Sequence, residues 1–253
     1  ENINDAAHML GLIDSAMNKL EALENAEYID QDGKDITPTS YDITFQDVSF
    51  GYDKRTVLHD VNFTIPQNTT TAIVGPSGSG KSTLCSLIAR FYDVDAGKIT
   101  LGETDIREFT CDSLLKNISM VFQNVYLFRD TIRNNIKFGS PDASEEQMIA
   151  AAKEARCHDF IMALPDGYDT DMGQMSARLS GGERQRIGIA RILLRNPDIC
   201  LMDEPSSALD ALHEKELLHT LQTAYAGKTL LLISHRGSTL TGCSRILRAE
   251  DLK

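Results

Sequence analysis

The 253-residue chain lacks long apolar runs: no unbroken stretch of apolar residues exceeds five. A membrane-spanning helix needs about twenty mostly apolar residues, so we expect no transmembrane span within this sequence. No signal-peptide pattern is visible either. The apolar content of 42% is that of a soluble globular protein with a proper core.

Paired cysteines and an excess of basic residues are also missing. The five cysteines form no C-x-x-C pair and lie mostly in apolar segments, which favours reduced thiols of a cytosolic protein, without zinc or disulfides. The net charge is −12. Because affinity for nucleic acid depends largely on phosphate neutralisation, DNA or RNA is not expected as a partner.

A glycine-rich segment is the most informative feature that the sequence does contain. It matches G-x-x-x-x-G-K-[ST], in which glycines let backbone N–H groups wrap phosphates, Lys81 neutralises phosphate oxygens and Ser82 can hold Mg²⁺. A strand-like run precedes it and a helix-like run follows, whereas an ordinary turn would not need the Gly-Lys-Ser end. A dinucleotide fingerprint is rejected, because Thr83 stands where a third glycine belongs. The predicted phosphate-binding residues are Gly75, Pro76, Ser77, Gly78, Ser79, Gly80, Lys81, Ser82 and Thr83.

Hydrophobic periodicity indicates the fold class. Alternating apolar residues at 41, 43 and 45 and at 61, 63 and 65 predict antiparallel strands, and short apolar runs predict parallel strands buried on both faces at 70–74, 118–122, 199–203 and 229–234. A capping-box spacing at Ser144 opens a mostly helical insertion. We therefore predict an α/β fold with a P-loop NTPase core and a mostly parallel sheet. An N-terminal antiparallel β subdomain and an inserted helical subdomain, at about 124–185, complete it.

The first forty residues contain no predicted strand, unlike the rest of the chain. Apolar residues between 9 and 23 recur at three- and four-residue spacing, which predicts an amphipathic helix with no following strand to pack on. Residues 30–40 form a polar, turn-rich linker. We expect one unit at 1–40 and a second at 41–253.

Four predicted parallel strands are each followed by a polar feature: the Gly75 loop, Gln123, the pair Asp203 and Glu204, and His235. Carboxyl ends of parallel strands meet at one edge of a sheet, where ligands bind. A lone Gln or His after a strand is usually an ordinary loop residue, but four such features in register predict a site. Asp203 is suited to holding Mg²⁺ and Glu204 to orienting or deprotonating an attacking water.

The segment Ser180-Gly181-Gly182-Glu183 opens another predicted helix. Ser180 and Glu183 have capping-box spacing, which is sufficient to explain their presence. Two glycines in a first turn are costly unless something approaches the backbone closely, and a helix N-terminus favours an anion.

These motifs resemble the nucleotide-binding domain of an ATP-binding cassette (ABC) transporter over residues 41 to about 248. Residues 179–183 match the family signature with Glu183 in place of the commoner Gln, and 75–82 and 199–204 match Walker A and B. The resemblance implies ATP and Mg²⁺ as cofactors. It also implies that His235 contacts the γ-phosphate and that Gln123 links Mg²⁺ and the attacking water to the membrane domain. Asp210 would belong to the D-loop, and Tyr52 would stack on adenine.

The resemblance further implies two kinds of partner. In such cassettes Ser180, Gly181 and Gly182 close the ATP site of a second nucleotide-binding domain, head to tail, in a homodimer or heterodimer. Segments 125–136 and 167–173 resemble exporter-type cassettes fused to a transmembrane domain, on the cytoplasmic face of the cell membrane. The first helix would then continue the last transmembrane helix.

Two departures from the family pattern affect these expectations. Gln174 stands where such cassettes usually carry a Glu that touches the membrane domain. The chain also stops at Lys253, so that the last strands and terminal helix are expected to be short or missing, as in a truncated domain.

Two alternatives stay open: an ABC-type ATPase that transports nothing, and a nucleotide-gated interaction module. The second would predict a damaged water-activating position, whereas Glu204 and His235 are both present. Neither the transported compound nor the direction of transport can be read from this stretch.

Overall fold

The computed structural model describes residues 17, 29–30, 32–53, 55–175, 179–205, 211–235 and 242–252. Two separate sheets form its framework, one antiparallel with four strands and one parallel with five. The helix predicted over residues 9–23 lies outside the described residues except for Met17, which is helical and exposed.

The antiparallel sheet has the strand order β2-β1-β4-β5. Ile43 pairs with Ile65 and Phe45 with Phe63, so both predicted alternating strands are confirmed. Their apolar side chains face one side because alternate residues of a strand point to the same face. The strands are β1 (Ile43–Tyr52), β2 (Arg55–Ile65), β4 (Ala96–Leu101) and β5 (Thr104–Asp105).

The parallel sheet has the order β6-β7-β8-β3-β9, and every neighbouring pair in it is parallel. Its first four strands are those predicted from apolar runs. The fifth, at the edge beside β3, was not predicted, because it has only two apolar residues between two arginines and is mostly exposed. The strands are β3 (Thr70–Val74), β6 (Ile118–Val121), β7 (Ile199–Asp203), β8 (Thr229–Ser234) and β9 (Arg245–Arg248).

Helices connect and cover these strands, and four of them lie between β6 and the long helix α7. The capping box predicted at Ser144 is formed, with Gln147 as the reciprocal partner. The helices are α1 (Lys81–Ile88), α2 (Cys111–Asn117), α3 (Ile132–Lys137), α4 (Glu145–Glu154), α5 (His158–Met162), α6 (Met172–Met175), α7 (Gly181–Arg195) and α8 (Ala211–Ala224). No helix among the described residues is long and apolar enough to cross a membrane.

Both faces of the parallel sheet are buried, each in its own apolar cluster. Cys200 and Met202 of β7 pack with the helical insertion, whereas Leu201 packs with α1 and the antiparallel sheet. This alternation explains why β7 and β8 are apolar throughout and why their polar residues appear only at the ends.

The predicted linker packs against the residues that follow α1 and precede α2. Lys34 forms a parallel bridge with Phe109, and the Asp30 carboxylate accepts the backbone N–H of Cys111 at 2.9 Å. The buried guanidinium of Arg90 also donates to the carbonyl of Ile29. The segment before β1 is therefore attached where α1 and the start of α2 meet.

Candidate active site

The glycine-rich loop joins β3 to α1, as the sequence predicts. Gly78 and Gly80 have φ of 79° and 87°, in the left-handed region where side chains are strained. A Cβ on Gly80 would also lie 2.7 Å from Cδ2 of Leu58. Glycine is therefore favoured at position 80 by its backbone conformation, and a larger residue would in addition have to displace the end of the Leu58 side chain.

The ammonium group of Lys81 lies over this loop. Lys81 is buried, and its Nζ donates to the carbonyl oxygens of Gly75 at 2.9 Å and Pro76 at 2.7 Å. A cation is thus held among the backbone groups that would wrap a phosphate.

Ser82 and Asp203, predicted from distant parts of the chain, lie together. The Ser82 hydroxyl donates to Oδ1 of Asp203 at 3.1 Å. Burial raises the pKa of the Asp203 carboxyl above its ordinary value and the nearby Glu204 charge adds to the rise, although the Ser82 hydrogen bond and Lys81 oppose it. Among the described residues no cluster of three or more His, Cys, Asp or Glu side chains suits a metal. A hydroxyl beside a carboxylate nevertheless matches the few protein oxygens with which Mg²⁺ is held at phosphate sites.

The carboxylate of Glu204 contacts two other predicted site residues. Gln123 Nε2 donates to its Oε2 at 2.8 Å, and His235 Nδ1 lies 3.1 Å from its Oε1. Since an ionised carboxylate only accepts hydrogen bonds, Nδ1 of His235 is the protonated nitrogen in this contact. Three predicted residues that follow three different strands are therefore in direct contact.

The backbone of Glu204 is unusual for a residue with a side chain. Its φ is 49°, and its N–H donates to the carbonyl of Ile233 on β8 at 3.0 Å. Left-handed backbone at a non-glycine residue persists only where surrounding contacts hold it, and such residues cluster at functional sites.

A cavity of about 500 Å³ opens between the loop, β2 and Glu204, within the range of small-molecule sites. Three of its lining residues, Arg55, Thr56 and Val57 at the start of β2, were not predicted; their position just after Tyr52 in the sequence was the available signal. The lining residues are Tyr52, Arg55, Thr56, Val57, Ser77, Gly78, Gly80, Lys81, Ser82, Thr83, Gln123 and Glu204.

The predicted adenine-stacking residue, Tyr52, lies at the rim of this cavity and is 39% exposed. Its ring meets those of Phe50 and Tyr92 edge-on, with centroids 5.0 and 5.2 Å away. A partly exposed aromatic ring at the rim of a cavity is suited to stacking on a flat base.

The predicted signature segment caps α7. Ser180 Oγ accepts the N–H of Glu183 at 3.2 Å, and the Ser180 N–H donates to Oε2 of Glu183 at 2.7 Å. The capping box is therefore formed. Ser180, Gly181 and Gly182 do not line the cavity around Lys81. Asp210 lies outside the described residues, as does the side chain of Gln174.

A model of the ABC transporter family matches residues 58–207, more than half of the chain. The ATP-dependent lipid A-core flippase of Syntrophus aciditrophicus is 48% identical over 205 residues, covering 81% of this chain and 34% of the flippase. The heavy metal tolerance protein of Schizosaccharomyces pombe is 44% identical over 214 residues, covering 84% and 26%. The chain thus spans about a third or less of the length of these curated relatives.

A solved structure of a bacterial Atm1-family ABC exporter with ATP bound superposes with a TM-score of 0.88 at 41% identity, covering 95% of this chain and 43% of that one. This likeness confirms the predicted fold class. The chain therefore belongs to the ABC transporter family and carries its ATPase domain.

Proposed function

We infer that the chain hydrolyses ATP with Glu204 as the residue that orients and deprotonates the attacking water. The observation that carries this is the contact of Glu204 with both Gln123 and His235, beside the loop that holds Lys81. Gln123 and His235 hold its two carboxylate oxygens in fixed directions, which supports general-base work.

Ser82 and Asp203 are the residues that would hold Mg²⁺, with Gln123 nearby. Bound there, Mg²⁺ would neutralise charge on the phosphate oxygens. Lys81 supplies a further positive charge, and the raised pKa of Asp203 reflects a buried carboxylate that a cation beside it would stabilise.

The complete site is proposed to need a second nucleotide-binding domain, arranged head to tail. Two features support this: Ser180 does not line the cavity of its own chain, and α7 begins there with two glycines, which put no side chains on its first turn. Such a helix start is suited to a phosphate presented by another protomer.

A transmembrane domain is proposed as the other partner, which would be bound at the cytoplasmic face of the membrane. A second cavity, of about 320 Å³, lies between β6 and α7 and is lined by unusually exposed aromatic residues. Tyr126 is 69% exposed and Phe138 59%. Exposed aromatic patches of this kind mark interaction sites, and the exporter relatives support a membrane domain as the occupant.

The test is Glu204→Gln, with Glu103→Gln, an exposed carboxylate away from the cavity, as the matched control. Loss of a general base should lower kcat at least about a hundredfold without loss of ATP binding. With ATP and Mg²⁺, Glu204→Gln should form a stable dimer in size-exclusion chromatography, and Ser180→Arg added to it should abolish that dimer. Turnover close to that of the Glu103→Gln control would remove the assignment of Glu204.

A further inference from the structure

Gln185 connects helix α7 to the backbone of Glu204. Its side chain is almost fully buried, with 2% relative exposure, and its Nε2 donates to the carbonyl oxygen of Glu204 at 3.1 Å. This contact joins the helix that begins at Ser180 to the residue beside the phosphate loop. It is separate from the two contacts that hold the Glu204 carboxylate.

The backbone conformation of Glu204 is strained, so contacts that hold its backbone matter for where its side chain lies. Its φ is 49°, and the following residue is Pro205, which further restricts the residue before it. Ile233 accepts the N–H of Glu204, and Gln185 donates to its carbonyl. Both backbone polar groups of this strained residue are therefore held, one by β8 and one by α7.

Helix α7 can carry a displacement from its first turn to this contact. Gln185 lies five residues after Ser180, about 7.5 Å along the axis at 1.5 Å per residue. Ile187 and Ile189 of the same helix are fully buried in the core of the helical insertion. A packed helix moves as a unit, so a shift at Ser180 reaches Gln185.

We propose that Gln185 is a positioning residue, which holds the Glu204 backbone and makes the water-activating carboxylate of one protomer respond to nucleotide bound against Ser180 of the same protomer. This rests on the proposed function, because nucleotide reaches Ser180 only from the partner. The two ATP sites of a dimer would then communicate through one hydrogen bond in each protomer.

The experiment compares Gln185→Met and Gln185→Glu with the parent chain and with Ile189→Met, a control on the same buried helix. Both Gln185 variants keep the side-chain size and lose the N–H donor. Steady-state ATPase activity gives kcat, KM and the Hill coefficient, a fluorescent ATP analogue gives affinity, and thermal unfolding gives Tm. We expect kcat about tenfold lower, or ~1.4 kcal/mol, and a Hill coefficient near one, with KM and affinity those of Ile189→Met. Gln185→Met should also keep the Tm of Ile189→Met, whereas Gln185→Glu should lower Tm because it places a carboxylate at a position that is 2% exposed.

The result for Glu204→Gln distinguishes a failure of the Gln185 proposal from a failure of the proposed function. Parental kcat and Hill coefficient in either Gln185 variant overturn the role of Gln185, provided that Glu204→Gln is inactive. A joint loss of affinity and Tm with kcat, in both variants, shows a merely structural role and overturns it as well. Turnover retained by Glu204→Gln removes the proposed function itself.

Discussion

Replacing Arg90 by Ala should destabilise the chain strongly, although Arg90 does not line the candidate site. Its guanidinium, 4% exposed, donates to Oδ1 of Asp93 at 2.9 Å, to the carbonyls of Phe109 at 2.7 Å and Ile106 at 3.3 Å, and to that of Ile29. Arg90 thus connects the end of the phosphate-loop helix to the turn that precedes α2 and to the segment before β1.

The expected loss in free energy of unfolding follows from the buried groups that lose their hydrogen-bond donor. Truncation to Ala leaves buried carbonyl groups and a partly buried carboxylate without their donor, and breaking a buried charged network in this way costs about 3–5 kcal/mol. Arg90 also has φ of 52°. Arg90→Gly should therefore be less destabilised than Arg90→Ala, by roughly 1 kcal/mol, because glycine accepts a left-handed backbone.

Urea unfolding of the 253-residue chain, followed by circular dichroism, measures the free energy of unfolding. Arg107→Ala is the matched control, because Arg107 also pairs with a nearby carboxylate, that of Asp105 at 2.7 Å, but is 42% exposed. An exposed pair contributes at most about 1 kcal/mol. If Arg90→Ala and Arg107→Ala lose the same free energy, Arg90 does not fasten these three segments together.

Two further predictions concern the site and its partner surface. Asp203→Asn should raise the free energy of unfolding at pH 7 in EDTA while abolishing turnover, because burial raises the pKa of Asp203 and its charged form disfavours the fold above that pKa. The gain should shrink as pH falls through the raised pKa and vanish below 3.8, the unfolded value; lower stability at pH 7 would contradict this. Tyr126→Arg should lower the ATPase activity of the whole transporter in vesicles several-fold, because the exposed side chain, 69% accessible, would contact the proposed transmembrane domain. The ATPase activity of this chain alone should not change. Met162→Arg, on an exposed residue outside that cavity, is its control, and equal losses in both variants would argue against docking there.

The strands that the sequence predicts best are those that are buried on both faces. Residues 70–74, 199–203 and 229–234 were predicted with the observed bounds, because both faces are buried and each run ends where polar residues begin. Strand β9 was missed because its two terminal arginines are exposed and, among the described residues, it lies at the edge of the sheet beside β3. An edge strand of this kind depends on its neighbour more than on its own residues.

The meeting of Gln123, Glu204 and His235 could be predicted for a topological reason: parallel strands bring their carboxyl ends to one edge. The contact between Gln185 and Glu204 could not. A glutamine in the second turn of a helix has the same local pattern whether it faces solvent or a neighbouring carbonyl. Only the packing of α7 against the sheet decides between these, and that packing depends on side chains far apart in sequence.

Glu204 is held by contacts of two kinds, and this division predicts how its variants should differ. Gln123 and His235 contact its carboxylate, whereas β8 and Gln185 hold its backbone. Losing the carboxylate removes the proposed base itself. Losing one backbone contact keeps the carboxylate but lets Glu204 leave its productive conformation part of the time. Defects at Gln185 should therefore be partial and should change the response to a second nucleotide, while defects at Glu204 should be nearly complete and independent of it.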